Sequence, residues 1–340
     1  MKHLSLLRCG LLWRCFAGCL AFGYAVALPA LAQEDESPVT TPPATAETNI
    51  LVPPGKFLVV QGLRMHMHCV GSGYPAVMID GGIGASSLEW IPVLEGAAST
   101  TRVCVWDRPG YGWSDAGPAP RTTPQVADEL LDLMKASEIA GPWVLVGHSF
   151  GGFTVRYLAA RHPAEVAALL LVESSTPTTE VVASRGPRRA SPLVEQPKVS
   201  AAGMPRTREE VASYLNTRRK AILTQMDELK HFHASSQAVQ QAGPVPDVPL
   251  IVLERGRRLW PVGTEGDAAE QAWHDAQAEL VRLTPQGQLR TIPDVGHSPH
   301  VDRPEVVVAA IRELVQLVRE RKPIGGPVAE AVTTEMSTGR

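Results

Sequence analysis

The sequence predicts an α/β fold built on a mainly parallel sheet. Three observations carry that expectation. Short apolar runs alternate with segments of helical period across residues 56–321. Several runs, such as Val144-Leu145-Val146 and Ala168-Leu169-Leu170-Leu171-Val172, are apolar without alternation, as strands buried on both faces are. One of them leads straight into Gly147-His148-Ser149-Phe150-Gly151 and then into a helical stretch.

Size and composition agree. The 340 residues make one large domain or two small ones at roughly 100–200 residues each. A hydrophobic share of 44% and a charged share of 20% are globular values and exclude wholesale disorder. A formal net charge of −3 offers no basic field for a nucleic acid.

The elements follow in order. Strands are expected over 57–61 and 63–70, joined at Gly62, then over 76–80 and 102–106. Thr123-Pro124 opens a helix whose Val126, Leu130, Leu133 and Met134 fall on one face. A strand over 143–147 precedes Ser149, and Phe153, Val155 and Leu158 begin the helix after it. Strands over 167–172, 249–253 and 289–292 complete a set of eight. Pro304 starts the last helix, with Val307, Ile311, Leu314 and Val318 at helical spacing. Residues 174–246 break this rhythm with helical segments near 208–220 and 222–241. The stretch is too long for an ordinary connection and reads as a cap inserted over the C-terminal edge of the sheet.

The ends read differently. Lys2, Arg8 and Arg14, an apolar run over 15–28 and Pro29-Ala30-Leu31-Ala32 make a signal peptide over 1–32, cleaved after Ala32. A periplasmic or secreted protein with no stable membrane span is expected. An uncleaved anchor is one alternative; lipid attachment at Cys19 is a second, weakened by Phe16 at the head of the Phe16-Ala17-Gly18-Cys19 segment and by Arg14 just upstream. Cleavage would move the formal charge from −3 to −6, because it removes those three basic residues and no acid. Residues 33–55 read as a disordered linker and 322–340 as a disordered tail. Cys69 and Cys104 would meet an oxidising compartment, where one bridge and two buried thiols both remain open.

The strongest chemical signal is Gly147-x-Ser149-x-Gly151 between a strand and a helix. A nucleophile there stands clear of its backbone on a strained turn, and glycine on either side removes side chains that would collide with it. With Asp107-Arg108-Pro109-Gly110-Tyr111-Gly112-Trp113-Ser114-Asp115, this stretch resembles the α/β-hydrolase fold family over about 57–321. The resemblance implies an eight-stranded, mostly parallel sheet flanked by helices, with Ser149 as nucleophile. It reads the Asp107-Arg108 loop as structural bracing. It places an oxyanion hole on the backbone amides of Phe150 and of Gly82, with Ile83 second, in the loop Asp80-Gly81-Gly82-Ile83-Gly84. Asp80 stands there in place of the family's His, which touches loop bracing and not the amides. His297 follows the last strand and is the expected base, with His300 its competitor. His148 packs beside the nucleophile. The acid that orients the base is open between Glu173, which ends an apolar strand and is preferred, and Asp267 or Glu254. An alternative reading makes Asp267 a helix N-cap before Ala268. His231-x-His233 has no third ligand at metal spacing. Tyr214, Met226 and Phe232 are candidates for an apolar wall in the cap, and the basic cluster 185–189 reads as a solvated loop.

The expected activity is hydrolysis of a small-molecule carboxylic ester through an acyl-enzyme, with no cofactor or metal. Ser149 argues against dehalogenase and epoxide hydrolase relatives, which use Asp. An aminopeptidase-like acyl hydrolase is an alternative, although Ile83 departs from the Pro usual there. A catalytically silent binding protein on the same fold is the rival from another class.

Overall fold

The computed structural model describes residues 52–177 and 207–321. The expected signal peptide with Cys19, most of the expected linker, the 185–189 cluster and the expected tail lie outside the described residues. Eight strands form one sheet: β1 (Lys56–Val60), β2 (Leu63–Val70), β3 (Val77–Asp80), β4 (Val103–Trp106), β5 (Trp143–His148), β6 (Val166–Val172), β7 (Leu250–Arg255) and β8 (Gly287–Ile292). Their order is β1-β2-β4-β3-β5-β6-β7-β8; β2 runs antiparallel to both of its neighbours, β1 and β4, and the other pairings are parallel.

The unbroken apolar runs have a direct cause. On β5, Val144 and Val146 pack into the cluster on one face while Trp143 and Leu145 pack into the cluster on the other. β6 divides the same way, with Ala168, Leu170 and Val172 on one face and Leu169 and Leu171 on the opposite one. The first face is covered by α1 (Ile91–Ala97) and α9 (Pro304–Glu320). The second is covered by α2 (Thr123–Ala136) and α3 (Gly151–Arg161). At about 2–5 kcal/mol for a buried Leu cut back to Ala, this two-sided packing fixes the sheet that carries the site.

Cys69 and Cys104 lie directly opposite each other on β2 and β4, with Cα atoms 4.0 Å apart, and form a disulfide. Of the two states left open by the sequence, the structure has the bridge.

Among the described residues between β6 and β7 there are three helices, not two: α4 (Arg208–Asn216), α5 (Arg219–Lys230) and α6 (Phe232–Gln241). The chain breaks at Arg218, which is extended (φ −63°, ψ 147°), and again at His231. Apolar period misleads here because α5 is built inside out. It buries Ala221, Thr224 and Glu228 and exposes Ile222, Leu223, Met226 and Leu229. Polar bonds hold it over the strand ends. Lys220 Nζ donates to the carbonyls of Gly112 (2.8 Å) and Ser114, Tyr111 Oη donates to Glu228 (2.6 Å), and the Arg121 amide donates to Asp227 (2.5 Å). Tyr214 and Met226 are exposed, contrary to a role in an apolar wall, while Phe232 packs against Phe150 and Phe153.

The remaining α-helices among the described residues are α7 (Thr264–Leu280) and the short α8 (Pro299–Asp302). α7 begins four residues earlier than an N-cap at Asp267 requires. Gly263 caps it, and Asp267 lies within its first turn, bonded to Arg258.

Candidate active site

The site is assembled at the C-terminal ends of β3, β5, β6 and β7 and in the loop after β8. Ser149 follows β5 with φ +50°, a left-handed conformation that costs a non-glycine residue energy. Packing enforces it. A Cβ on Gly147 would lie 2.6 Å from the Gly151 carbonyl oxygen, and one on Gly151 would collide with the Asp80 carbonyl. The Ser149 amide donates to Val172 (3.2 Å), and its carbonyl accepts from Gly152 (3.0 Å) and Ser175 (2.9 Å), so the turn is tied to the ends of both neighbouring elements.

Glu173 caps β6, is fully buried, and also has a positive φ of 44°. Its Oε2 lies 3.2 Å from His297 Nδ1 and 3.1 Å from Arg255 Nη1. Its Oε1 accepts from the Arg255 amide (2.7 Å) and from Trp273 Nε1 (3.1 Å). Burial alone would raise this carboxyl's pKa. The His297 hydrogen bond and charge, with the Arg255 guanidinium, outweigh burial and hold it below the usual carboxylate range. An ionised Glu173 accepts a hydrogen bond from His297 Nδ1–H, which leaves Nε2 as the ring's acceptor nitrogen.

The other two acids go elsewhere. Glu254 accepts from Thr291 Oγ1 (2.5 Å) and pairs with His274 (3.0 Å). Asp267 bonds Arg258 at the surface. Of the three candidates, only Glu173 meets His297.

His300 is not placed as a base. It is buried, it stacks on Trp90 with ring centroids 4.0 Å apart, and burial depresses its pKa to about 3. His148 Nε2 donates to the backbone carbonyl of His297 (2.7 Å). Burial, then the charges of His300 and His297, push its pKa well below the usual imidazole value, so it is a neutral strut for the His297 loop.

The glycine loop after β3 reaches the same point. A Cβ on Gly82 would lie 3.2 Å from Ser149 Cβ and 3.1 Å from His148 Nδ1. Within the described residues, no protein acceptor occupies the amides of Gly82, Ile83 or Phe150. Asp80, the residue that departs from the family loop, accepts from Trp106 Nε1 (3.0 Å) and lies 3.6 Å from Arg108 Nε. Asp107 braces as expected, accepting from the amides of Ser87 (2.7 Å) and Trp113 (3.1 Å) and bonding His66 Nδ1 (2.8 Å).

Sequence reasoning did not find Arg255 or Trp273 as partners of Glu173. The adjoining Glu254-Arg255-Gly256-Arg257-Arg258 run showed a basic residue at the end of β7, but not that its side chain turns toward β6. Among the described residues no group of three or more His, Cys, Asp or Glu side chains is arranged to hold a metal ion, and His231 instead bonds Asp227. No described helix is long and apolar enough to cross a membrane.

The family model for the alpha/beta hydrolase fold matches residues 75–239, the stretch that holds the glycine loop, Ser149 and Glu173. This chain has the α/β-hydrolase fold. A solved putative lipase from Acinetobacter baumannii superposes with a TM-score of 0.60 at 20% identity, covering 81% of this chain and 95% of that one. A serine hydrolase involved in carbazole degradation superposes at 0.58, also at 20% identity, covering 77% and 98%. At such identity these two share the fold. By sequence, an uncharacterised Bacillus subtilis protein, YqjL, is 24% identical over 76% of this chain and 91% of its own length. A 2-hydroxymuconate semialdehyde hydrolase from Pseudomonas is 35% identical over 37% of this chain and 46% of its own. An uncharacterised Schizosaccharomyces pombe protein is 30% identical over 59% of this chain, and the match spans 38% of that relative's length.

Proposed function

We propose that this protein is an exported serine hydrolase that cleaves a carboxylic ester through an acyl-enzyme. The observation that carries the proposal is the Glu173–His297 bond at 3.2 Å beside a Ser149 held at positive φ. Ser149 Oγ attacks the ester carbonyl while His297 Nε2 takes its proton. Glu173 keeps the imidazole in the required tautomer and stabilises it when charged. Negative charge forms on the carbonyl oxygen, where the Gly82 and Phe150 amides donate to it. His297 returns the proton to the departing alcohol, then activates water to release the acid. The hydrolase names of several relatives support this reaction class. The Cys69–Cys104 disulfide supports an oxidising compartment and so agrees with the basic, apolar leader.

The test uses p-nitrophenyl esters of rising acyl length and a fluorophosphonate probe. The wild-type protein turns over at least one ester and is labelled at Ser149. Ser149→Ala loses both, with activity down about 10⁴-fold or more. A folded wild-type protein that neither labels nor turns over any ester of the panel sinks the proposal.

A further inference from the structure

Beneath the loop 80–84 lies a buried cluster with no part in proton transfer. Arg108, Asp80 and Glu228 are each no more than 3% exposed. Arg108 Nη2 donates to the carbonyls of both Gly81 (3.1 Å) and Gly82. Its Nε lies 3.6 Å from Asp80, and its Nη1 lies 3.6 Å from Glu228 Oε1. Glu228 comes from α5 of the insertion, and its Oε2 accepts from Tyr111 Oη at 2.6 Å. The guanidinium also sits 5.3 Å from the ring centres of Tyr111 and Phe150.

The planarity of the peptide unit gives these contacts a consequence. In a trans peptide the C=O and the following N–H point in opposite directions. Clamping the Gly81 carbonyl therefore turns the Gly82 amide away from Arg108. Clamping the Gly82 carbonyl does the same for Ile83. These are the two candidate donors of the loop, and Gly82 lies against Ser149. Gly81 and Gly82 have no side chains to fix their peptide planes, and besides the turn bond from the Ala85 amide to the Gly82 carbonyl (3.3 Å) the hold comes from Arg108. Arginine suits that task because its planar fork serves several acceptors at once, whereas lysine offers a compact point charge.

We propose that Arg108 is the positioning residue of the oxyanion hole, clamping two carbonyls so that the Gly82 and Ile83 amides face the developing charge, and that Glu228 makes docking of the inserted helices a condition of this clamp. The proposal rests on the reading of Ser149 as the nucleophile. A buried guanidinium needs counter-charge, and burial works against its charged form while Glu228 and Asp80 favour it. One of those two carboxylates arrives only with α5. The hole is therefore complete only when the insertion is seated.

The experiment compares wild type with Arg108→Lys, which keeps the buried charge but not the fork. Turnover of a p-nitrophenyl ester is normalised to Ser149 sites titrated to end point with fluorophosphonate, so unfolded protein does not count. Phenylboronic acid, whose tetrahedral serine adduct places an oxygen in the hole, reports transition-state binding. The expected result is kcat down about 100-fold, KM little changed, and phenylboronate affinity down by the same factor. Glu228→Gln shows the same signature at about tenfold, and it carries the test if Arg108→Lys does not fold. Unchanged kcat per titrated site, with or without a fall in Tm, overturns the proposal, because a purely structural role moves stability alone. A fall in kcat with phenylboronate affinity unchanged also overturns it. A silent, unlabelled wild type removes the serine-hydrolase reading and this proposal together, and that outcome is distinct because it precedes any variant.

Discussion

The carboxylate side of the site and the amide side draw on different parts of the chain. Glu173, Arg255 and His297 stand at the ends of β6 and β7 and just after β8, three adjacent strands of one sheet. Gly82 and Phe150 also follow strands, but they gather around Arg108, and one of its counter-charges belongs to α5. The first side is in place once the sheet forms. The second needs the insertion as well. On the proposed mechanism, general-base chemistry is built into the core, while stabilisation of the oxyanion is open to control by an element outside it.

The largest effect should come from the core side. Glu173→Gln keeps the shape and loses the charge that fixes the His297 tautomer. Turnover should fall about 10⁴-fold, measured as kcat/KM per titrated site. Asp267→Ala and Glu254→Ala should stay near wild type, since neither acid reaches His297. Near-full activity in Glu173→Gln would break the division between the two sides.

Between the sides lies a seam of neutral imidazole. His148 joins the two by touching Gly82 and bonding the His297 carbonyl, and His300 lies against His148 with ring centroids 4.5 Å apart. His300 falls from an ordinary value of 6.5 to about 3, through burial first and then His297, with Asp302 opposing. The unfolded chain therefore binds a proton below about pH 6.5 that the folded chain refuses. Stability is full above that pH and falls as pH drops, by about 1.4 kcal/mol per pH unit for His300. Glu173, whose carboxyl is held low, withdraws its contribution as pH falls through the usual carboxylate range and below it. Between about pH 6.5 and 4.5, His300→Phe should escape roughly 3 kcal/mol of the wild-type loss, read by urea unfolding at each pH. Equal losses in the two proteins would remove His300 from the seam.

The same division explains what the sequence could show. β5 and β6 were legible because both faces are buried and the strands are therefore unbroken apolar runs. Ser149 was legible because close packing admits only glycine at 147 and 151. Glu173 stood out as a charge ending such a run. The amide side was far less legible. α5 hides Thr224 and Glu228 and shows its leucines to solvent, so hydrophobic period gives its faces the wrong way round. Arg108 could be seen as a brace, but Glu228 lies far along the chain with no spacing rule to join them. α7 was missed over most of its length because only Trp273, Ala276 and Leu280 of its apolar residues are buried.

The smallest effect offers the sharpest comparison. Activity left after Glu173→Gln should come from the amides and substrate binding, which do not need the acid. Glu228→Gln acts only on the amides. Placed in the Glu173→Gln background, it should lower the residual turnover by the same roughly tenfold factor that it costs the wild type. The two changes should then add to within about 0.5 kcal/mol, as separate sites do. A coupling above about 1 kcal/mol would mean that the insertion reaches His297 as well as Gly82. In that case Arg108 and Glu173 would belong to one mechanical unit, and the core side would no longer stand complete without α5.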